Sequence, residues 1–513
     1  MWHAMVQLKL LVSLSLLSAA RSAPLQQWAD ASSRAAPEGD TDELSLLQQV
    51  HSVKHLAPAP APTAAAQHYW PHARGRVGHY SQTPYNTRPA DLNKSLAWSW
   101  QAPKFNTMLF GSLIDSKKNI YVAGIDGVWK LSPSGRQLWY SNMSTEMPSL
   151  AGNTLVGMRM FDCLAFALSL ETGALLWSRQ VWPNNGAHGD FVEVHNGVAV
   201  VAVGGSQTAS SGGGSTHAAG LSIQDGRLLW EFKPECQLWN IMALFPDNET
   251  AVFNDLCGGV YRVGLHNGTL LWHTPGSNPS FTDGGSMLGP DGSMYTCSNP
   301  KYTIGQALTP GVLRKYRLGD GARLWEVLLP YPCVNFPAVS FDGRSVIVAP
   351  GALADEAKTK LAMGMPAAAR EDFYHQQLSL TRRNQQRSFY HLPNLEAAIM
   401  AFDTATGVLQ WRHDVPPFGG VAFAGDEQRA WTWLKEPWVL PHCWPAHWSG
   451  PTVDREGVVY IGRSSGELYA YNPRDGLEST FHTGDGILMG GGAFAPGLMV
   501  FATCSSVHAF HAP

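Results

Sequence analysis

Residues 400–411 read MAFDTATGVLQW: an alternating strand, a turn ending in Gly407, and a second strand carrying Trp411. The ending Gly-x-x-Leu-Trp, or a near variant, recurs at Gly135 to Trp139, Gly173 to Trp177, Gly226 to Trp230, Gly268 to Trp272 and Gly321 to Trp325. Trp98 in KSLAW keeps the register with Lys94 in place of the glycine. A degenerate copy follows Gly476, with Phe481 one place beyond the expected position. Upstream of each ending lie two further strands, as in SMLGPDGSMYTC or SGPTVDREGVVYIG. Each unit is therefore four short strands, A to D, with tight A–B and C–D turns.

The Trp-to-Trp spacings are 41, 38, 53, 42, 53 and 86 residues, with another 70 to Phe481. A basal unit near 40 residues is the length of a four-stranded propeller blade. After Phe481 the chain supplies A-, B- and C-like strands (GGGAFAP, LMVFATC, SVHAF) and ends, while LAWSW near residue 98 is a lone D strand. Joined, they complete one more blade. The expected fold is all-β: an eight-bladed propeller of four-stranded blades, closed by pairing of its N- and C-terminal strands. Closure removes the open edges of an array. Each repeat tryptophan is expected to pack between its own blade and the next, where glycine lets the backbone approach. Burying such a ring contributes ~2–3 kcal/mol.

Composition agrees. The 513 residues include 51 glycines, 34 prolines and 19 tryptophans, and only 15 % are charged. A net charge of −4 gives no electrostatic basis for binding nucleic acid or anionic membranes. Residues 1–22 have the form of a secretory signal peptide, with an apolar core from Leu10 to Ala20, too short to span a bilayer. No later segment is long and apolar enough to cross one. Residues 23–90, with the PAPAPTAAA run, are expected to be a low-complexity linker with a short helix near Glu43 to Val53. Residues 91–513 form the propeller, with insertions at 351–394, helical around Arg370 to Gln386, and at 415–448. Sequons at Asn93, Asn142, Asn248 and Asn267 fit a secreted or lumenal glycoprotein.

The segment MAFDTATGVLQW resembles the pyrroloquinoline-quinone (PQQ) repeat, A-x-D-x-x-T-G-x-x-x-W, and AFALSLETGALLW is close to it with Ser169 at the Asp position. The resemblance extends over residues 93 to 513 and implies the eight-bladed fold of quinoprotein dehydrogenase-like propellers. That family holds both dehydrogenases and non-catalytic members, among them a bacterial outer-membrane assembly scaffold. In its dehydrogenases the quinone lies in an axial funnel, polarised by calcium or a lanthanide, with a catalytic Asp and a covering Cys-Cys disulfide. This chain has no Cys-Cys pair and no C-x-x-C-H haem attachment. No catalytic residue carries over.

The A–B and C–D turns are short, whereas added length falls in B–C and D–A connections, which share the opposite face. All seven cysteines map to that elaborated face. Disulfides are expected there. Cys236 with Cys257 and Cys297 with Cys333 suit single or adjacent blades, and Cys443 with Cys504 would span the last two, leaving Cys163. Connectivity is open. No C-x-x-C or H-x-x-x-H spacing marks a metal site. In the 415–448 insertion Trp431, Trp433, Trp438, Trp444 and Trp448 interleave with Lys435, His442, Cys443 and His447. Such a segment packs its own small core, stacks on a flat ligand, or does both. Candidate residues of the elaborated face are Asp162, Asn254 and Asp255, at strand-B ends, and His442, Trp444, His447 and Trp448.

Two functions follow: a secreted or lumenal binding scaffold, monomeric, taking a protein or glycan on the elaborated face; or a divergent dehydrogenase of alcohols or sugars using PQQ with calcium.

Overall fold

Strand pairing organises the described residues into eight antiparallel blade sheets and one separate two-stranded hairpin. The computed structural model describes residues 67–85, 91–103, 111–159, 162–182, 191–205, 214–239, 243–276, 280–282, 285–300, 310–333, 335–351, 395–418, 424–425, 448–487 and 489–512. All lie in the unit Thr63–Pro513.

Blade 1 runs A to D through Ser112–Ile114, Ile120–Gly124, Gly127–Leu131 and Gln137–Ser141. Blades 2, 3, 5, 6 and 7 repeat the pattern, and blade 4 has three strands with Leu244 bridging to Val252 in place of strand A. In blade 8, Leu96–Gln101 pairs with Ser506–His511, so the N-terminal strand is the outer strand of a C-terminal blade. The expected eight-bladed closure is present. The described helix is one turn, Leu92–Ser95, capped by Asp91. The strand-D range Leu409–Phe418 absorbs the first residues of the insertion placed at 415–448. The expected helices near 43–53 and 370–386 lie outside the described residues.

Neighbouring blades are fastened by the repeat tryptophan. Trp98, Trp139, Trp177, Trp230, Trp272 and Trp325 each lie against the C–D turn glycine of the following blade. A Cβ added to Gly173 would stand 2.8 Å from the Trp139 ring, and one on Gly226 2.5 Å from Trp177. Gly173 also has φ +73°, which a side chain would strain. Each indole N–H donates to a carbonyl of the next blade, from Trp98 to Pro133 (2.9 Å) and Trp139 to Leu170 (3.1 Å) through Trp325 to Thr404 (3.0 Å). At two junctions a buried lysine of strand C shares that acceptor: Lys130 on Leu170 and Lys315 on Thr404.

Trp411 departs from the expectation. A Cβ on Gly476 would meet nothing within 4 Å, and Trp411 instead lies 5.5 Å from Tyr471. The cause is register. Strands C and D shift by one residue beside the turn in blades 1 to 6, as between Ala401 and Phe402. Blade 7 runs straight through Asn472–Leu477, which puts Phe481 one place late and turns Gly476 away. His413, stacked on Tyr471 at 4.1 Å and paired with Glu478 at 2.5 Å, bridges this junction.

Truncating Trp230 to Ala is expected to destabilise the protein by about 3–5 kcal/mol, and Trp411→Ala by less than half of that. Denaturant midpoints of the two variants check this; equal losses would show that the glycine dock is not the fastening.

Candidate functional site

Residues 67–85, inside the stretch expected to be linker, fold into a hairpin with Gly75 paired to Tyr80 and Arg76 to His79. The hairpin touches the innermost strand of every blade, or the residue adjoining it. Trp70 bridges to Ile114 in blade 1, and Pro71 accepts from Leu150 N–H in blade 2. His72 pairs with Glu193 in blade 3, and the Tyr80 hydroxyl accepts from Phe245 N–H in blade 4 (3.1 Å). Arg74 Nη1 donates to Ser286 O in blade 5 (3.1 Å), and Gln82 Nε2 to Val339 O in blade 6 (2.7 Å). Ser81 and Thr83 pair through their backbones with Val453 in blade 7, and Trp70 packs 5.4 Å from Phe494 in blade 8. Contact with all eight innermost strands places the hairpin on the propeller axis. Pro-Ala composition dominates the sequence around it, and only the aromatics of YWPHARGRVGHY hinted at burial.

Several axial polar groups are engaged, whereas the hydroxyls of Ser81 and Ser286 are buried without a hydrogen-bond partner among the described residues. His72 Nδ1 also meets Ser149 Oγ at 3.1 Å, and Ser149 donates to Val192 O at 2.6 Å. The Arg74 guanidinium lies 3.7 Å over the Phe336 ring. Burial pushes Arg74 down to about 9, opposed by Glu193, and it stays cationic at neutral pH. Burial drives the Tyr80 phenol well above its usual range.

The sequence-predicted residues are scattered over several blades. Asp255 Oδ1 accepts from Cys257 N–H (2.9 Å) and Gly259 N–H (2.7 Å), and Oδ2 from the Tyr261 hydroxyl (2.7 Å) and Cys236 N–H (3.2 Å). The same Asp-to-Tyr arrangement closes the A–B turn at Asp115 and Tyr121 in blade 1. Asp255 is thus a turn-closing carboxylate. Asn254 ends strand B opposite Val260, and Asp162 pairs with Arg159 and caps Leu164 N–H at 3.3 Å. Trp448 is buried where blades 6 and 7 meet, 5.6 Å from Tyr469 and 5.3 Å from the Arg463 guanidinium. His442, Trp444 and His447 lie outside the described residues.

Two disulfides have formed as the spacing allowed. Cys236–Cys257 (Cα–Cα 5.9 Å) ties the connection after blade 3 to blade 4, and Cys297–Cys333 (5.7 Å) ties strand B of blade 5 to the segment after its strand D. Cys163 and Cys504 are buried, and Cys443 lies outside the described residues. Among the described residues, the group of three with metal-ligating atoms in reach of one another is Cys236, Asp255 and Cys257, and its two sulfurs are already bonded to each other. A calcium-polarised quinone needs several oxygen ligands converging on the cation. Among the described residues that set is not assembled, and the axis is filled by the hairpin. The described residues do not assemble a site for the cofactor.

One polar chain that the sequence did not reveal lies in the closing blade. Ser99 Oγ meets His508 Nδ1 at 2.9 Å, and His508 Nε2 meets Ser506 Oγ at 3.2 Å. Ser506 joins Thr503 Oγ1 at 2.8 Å, which donates to Asp485 Oδ2 at 2.6 Å. Burial pushes His508 down to about 4 and Asp485 up. The segment TCSSVH carries no motif beyond strand alternation, so only the pairing of the two chain ends reveals this chain.

Residues 126–289, about a third of the chain, match the PQQ-repeat family model described as outer membrane protein assembly factor BamB. The described fold is that of PQQ-repeat β-propellers. Among solved structures, BamB from Moraxella catarrhalis is 13 % identical with a TM-score of 0.53, covering 81 % of this chain and 99 % of that one. A quinohemoprotein alcohol dehydrogenase from Pseudomonas putida HK5 is 12 % identical with a TM-score of 0.52, covering 84 % and 78 %. Its counterpart from Comamonas testosteroni is 12 % identical with a TM-score of 0.51, covering 87 % and 81 %. These likenesses carry the fold alone. No curated protein matches the sequence significantly.

His508 gives a pH prediction. Its folded value near 4 lies below the unfolded 6.5, so the unfolded chain binds the proton first as pH falls. Between pH 7 and 5 this removes about 2 kcal/mol of stability. His508→Asn is expected to flatten the fall in urea midpoint over that interval; an unchanged slope would assign the loss to other groups.

Proposed function

We propose that the protein is a non-catalytic binding module, secreted or lumenal and monomeric, that engages a protein partner through the face of its B–C and D–A connections. The axial hairpin carries this proposal: Trp70, Arg74 and Tyr80 are each 2 % exposed or less and fill the propeller axis, the region in which the resembled dehydrogenases hold their quinone. Two disulfides, and four sequons whose asparagines are all exposed, support an oxidising, glycosylating compartment. No described helix is long and apolar enough to cross a membrane. The assembly-factor description of the matching family model supports a protein ligand, with a glycan as the other ligand of that face. Of the candidate residues, His442, Trp444 and His447 are nominated as contacts, because Asp162 and Asp255 already serve turns and Trp448 is buried between blades.

The opposing proposal, a dehydrogenase of alcohols or sugars using PQQ with calcium, draws support from the fold shared with quinohemoprotein dehydrogenases. Purified protein incubated with PQQ and calcium, then desalted, separates the two. The expected outcome is no retained quinone absorbance and no dye reduction with alcohols or aldoses. A retained band that reduces dye on substrate addition would replace the scaffold with the dehydrogenase.

A further inference from the structure

We propose that the cleft between blades 6 and 7, on the face of the tight turns, binds an anionic saccharide: a sugar bearing a carboxylate or sulfate. This face lies opposite the one assigned to the protein partner, so neither proposal depends on the other.

The cleft exists because the tryptophan fastening fails here. At the six preceding junctions an indole fills the space beneath the next turn. At this one the straight hairpin of blade 7 leaves Gly476 without a neighbour within 4 Å, and Trp411 lines an opening of about 370 Å³. That volume lies within the ~300–1,000 Å³ usual for small-molecule sites. The Trp411 N–H, donated to a neighbouring carbonyl by its six counterparts, has no acceptor among the described residues. An indole of this kind offers an apolar plane and an unused donor together.

The remaining lining sets the class of ligand. Arg455 and Arg474 line the cleft and are exposed, offering planar forks suited to carboxylate or sulfate oxygens. Gln410 is held by Ser345 Oγ (2.6 Å) and by its own donation to Arg344 O (3.3 Å), which orients its amide beside Trp411. The acidic lining residue Asp342 accepts from Ser340 Oγ (2.6 Å) and Arg344 N–H (3.1 Å), and those donors temper its charge. A ring face for the indole, hydroxyls for the amide and indole N–H, and an anionic group for the arginines together describe an acidic sugar. An acidic peptide added as a strand is disfavoured, because the wall strands Ser345–Val348 and Val459–Gly462 are already paired on both sides.

Calorimetric titration of the full chain tests the proposal with three probes: a sulfated heparin hexasaccharide, an oligogalacturonate and neutral maltohexaose. One or both anionic probes are expected to bind, more weakly as salt rises, with maltohexaose at least tenfold weaker. The exposed arginines allow Arg455→Ser and Arg474→Ser without loss of fold, checked by an unchanged thermal midpoint. Each is expected to weaken anionic binding about tenfold, and Trp411→Leu to weaken it as well. Because heparin carries carboxylates as well as sulfates, binding of heparin alone would assign sulfate, and binding of oligogalacturonate would show that a carboxylate suffices. The proposal is overturned if neither anionic probe binds, if maltohexaose binds equally, or if the arginine variants bind as the parent does. A polyglutamate peptide that binds more tightly and is lost in the same variants would assign the cleft to acidic proteins instead.

Discussion

Eight sheets arranged about an axis leave eight inner strands facing one another, and their side chains and backbone ends need partners. The hairpin at residues 67–85 supplies them. Its contacts run from Ile114 in blade 1 to Phe494 in blade 8, and they combine backbone pairing, aromatic packing and a buried His72–Glu193 pair. Buried polar groups are costly unless satisfied. The hairpin therefore serves as core for the ring and as polar partner for blades 1 to 7.

The perimeter depends on a second, repeated contact. An indole laid on a turn glycine and hydrogen-bonded across to the next blade makes six of the eight junctions alike, so most of the ring is built from nearest-neighbour fastenings. A one-residue difference in hairpin register is enough to break the series. In blade 7 the straight pairing through Asn472 and Leu477 leaves Trp411 lining a cleft. The two disulfides reinforce the other face, bridging connections within or between adjacent blades.

The carboxylates that looked most like site residues serve the backbone. Asp255 is satisfied by four donors around one turn, which leaves it unsuited to hold a cation or take a proton. In a linear sequence these roles look alike, because the residue types that close turns are also those that ligate metals. What distinguishes them is whether carboxylates from different blades converge, a property of the ring that no one repeat contains.

The sequence by itself determined the blades. Strand alternation, glycine turns and a tryptophan every 40 or so residues are local features, and local features survive in a linear string. From them came the four-stranded units and the closing pairing of Leu96–Gln101 with the C-terminal strand, while the cysteine spacing allowed the two disulfides without fixing them. Tertiary structure alone decided what fills the axis, where the fastening fails, and that Ser99, His508 and Asp485 belong to one polar chain. The physical reason is sequence separation. His72 meets Glu193 across 121 residues and Arg74 meets Ser286 across 212, and nothing in the spacing around either partner encodes the other.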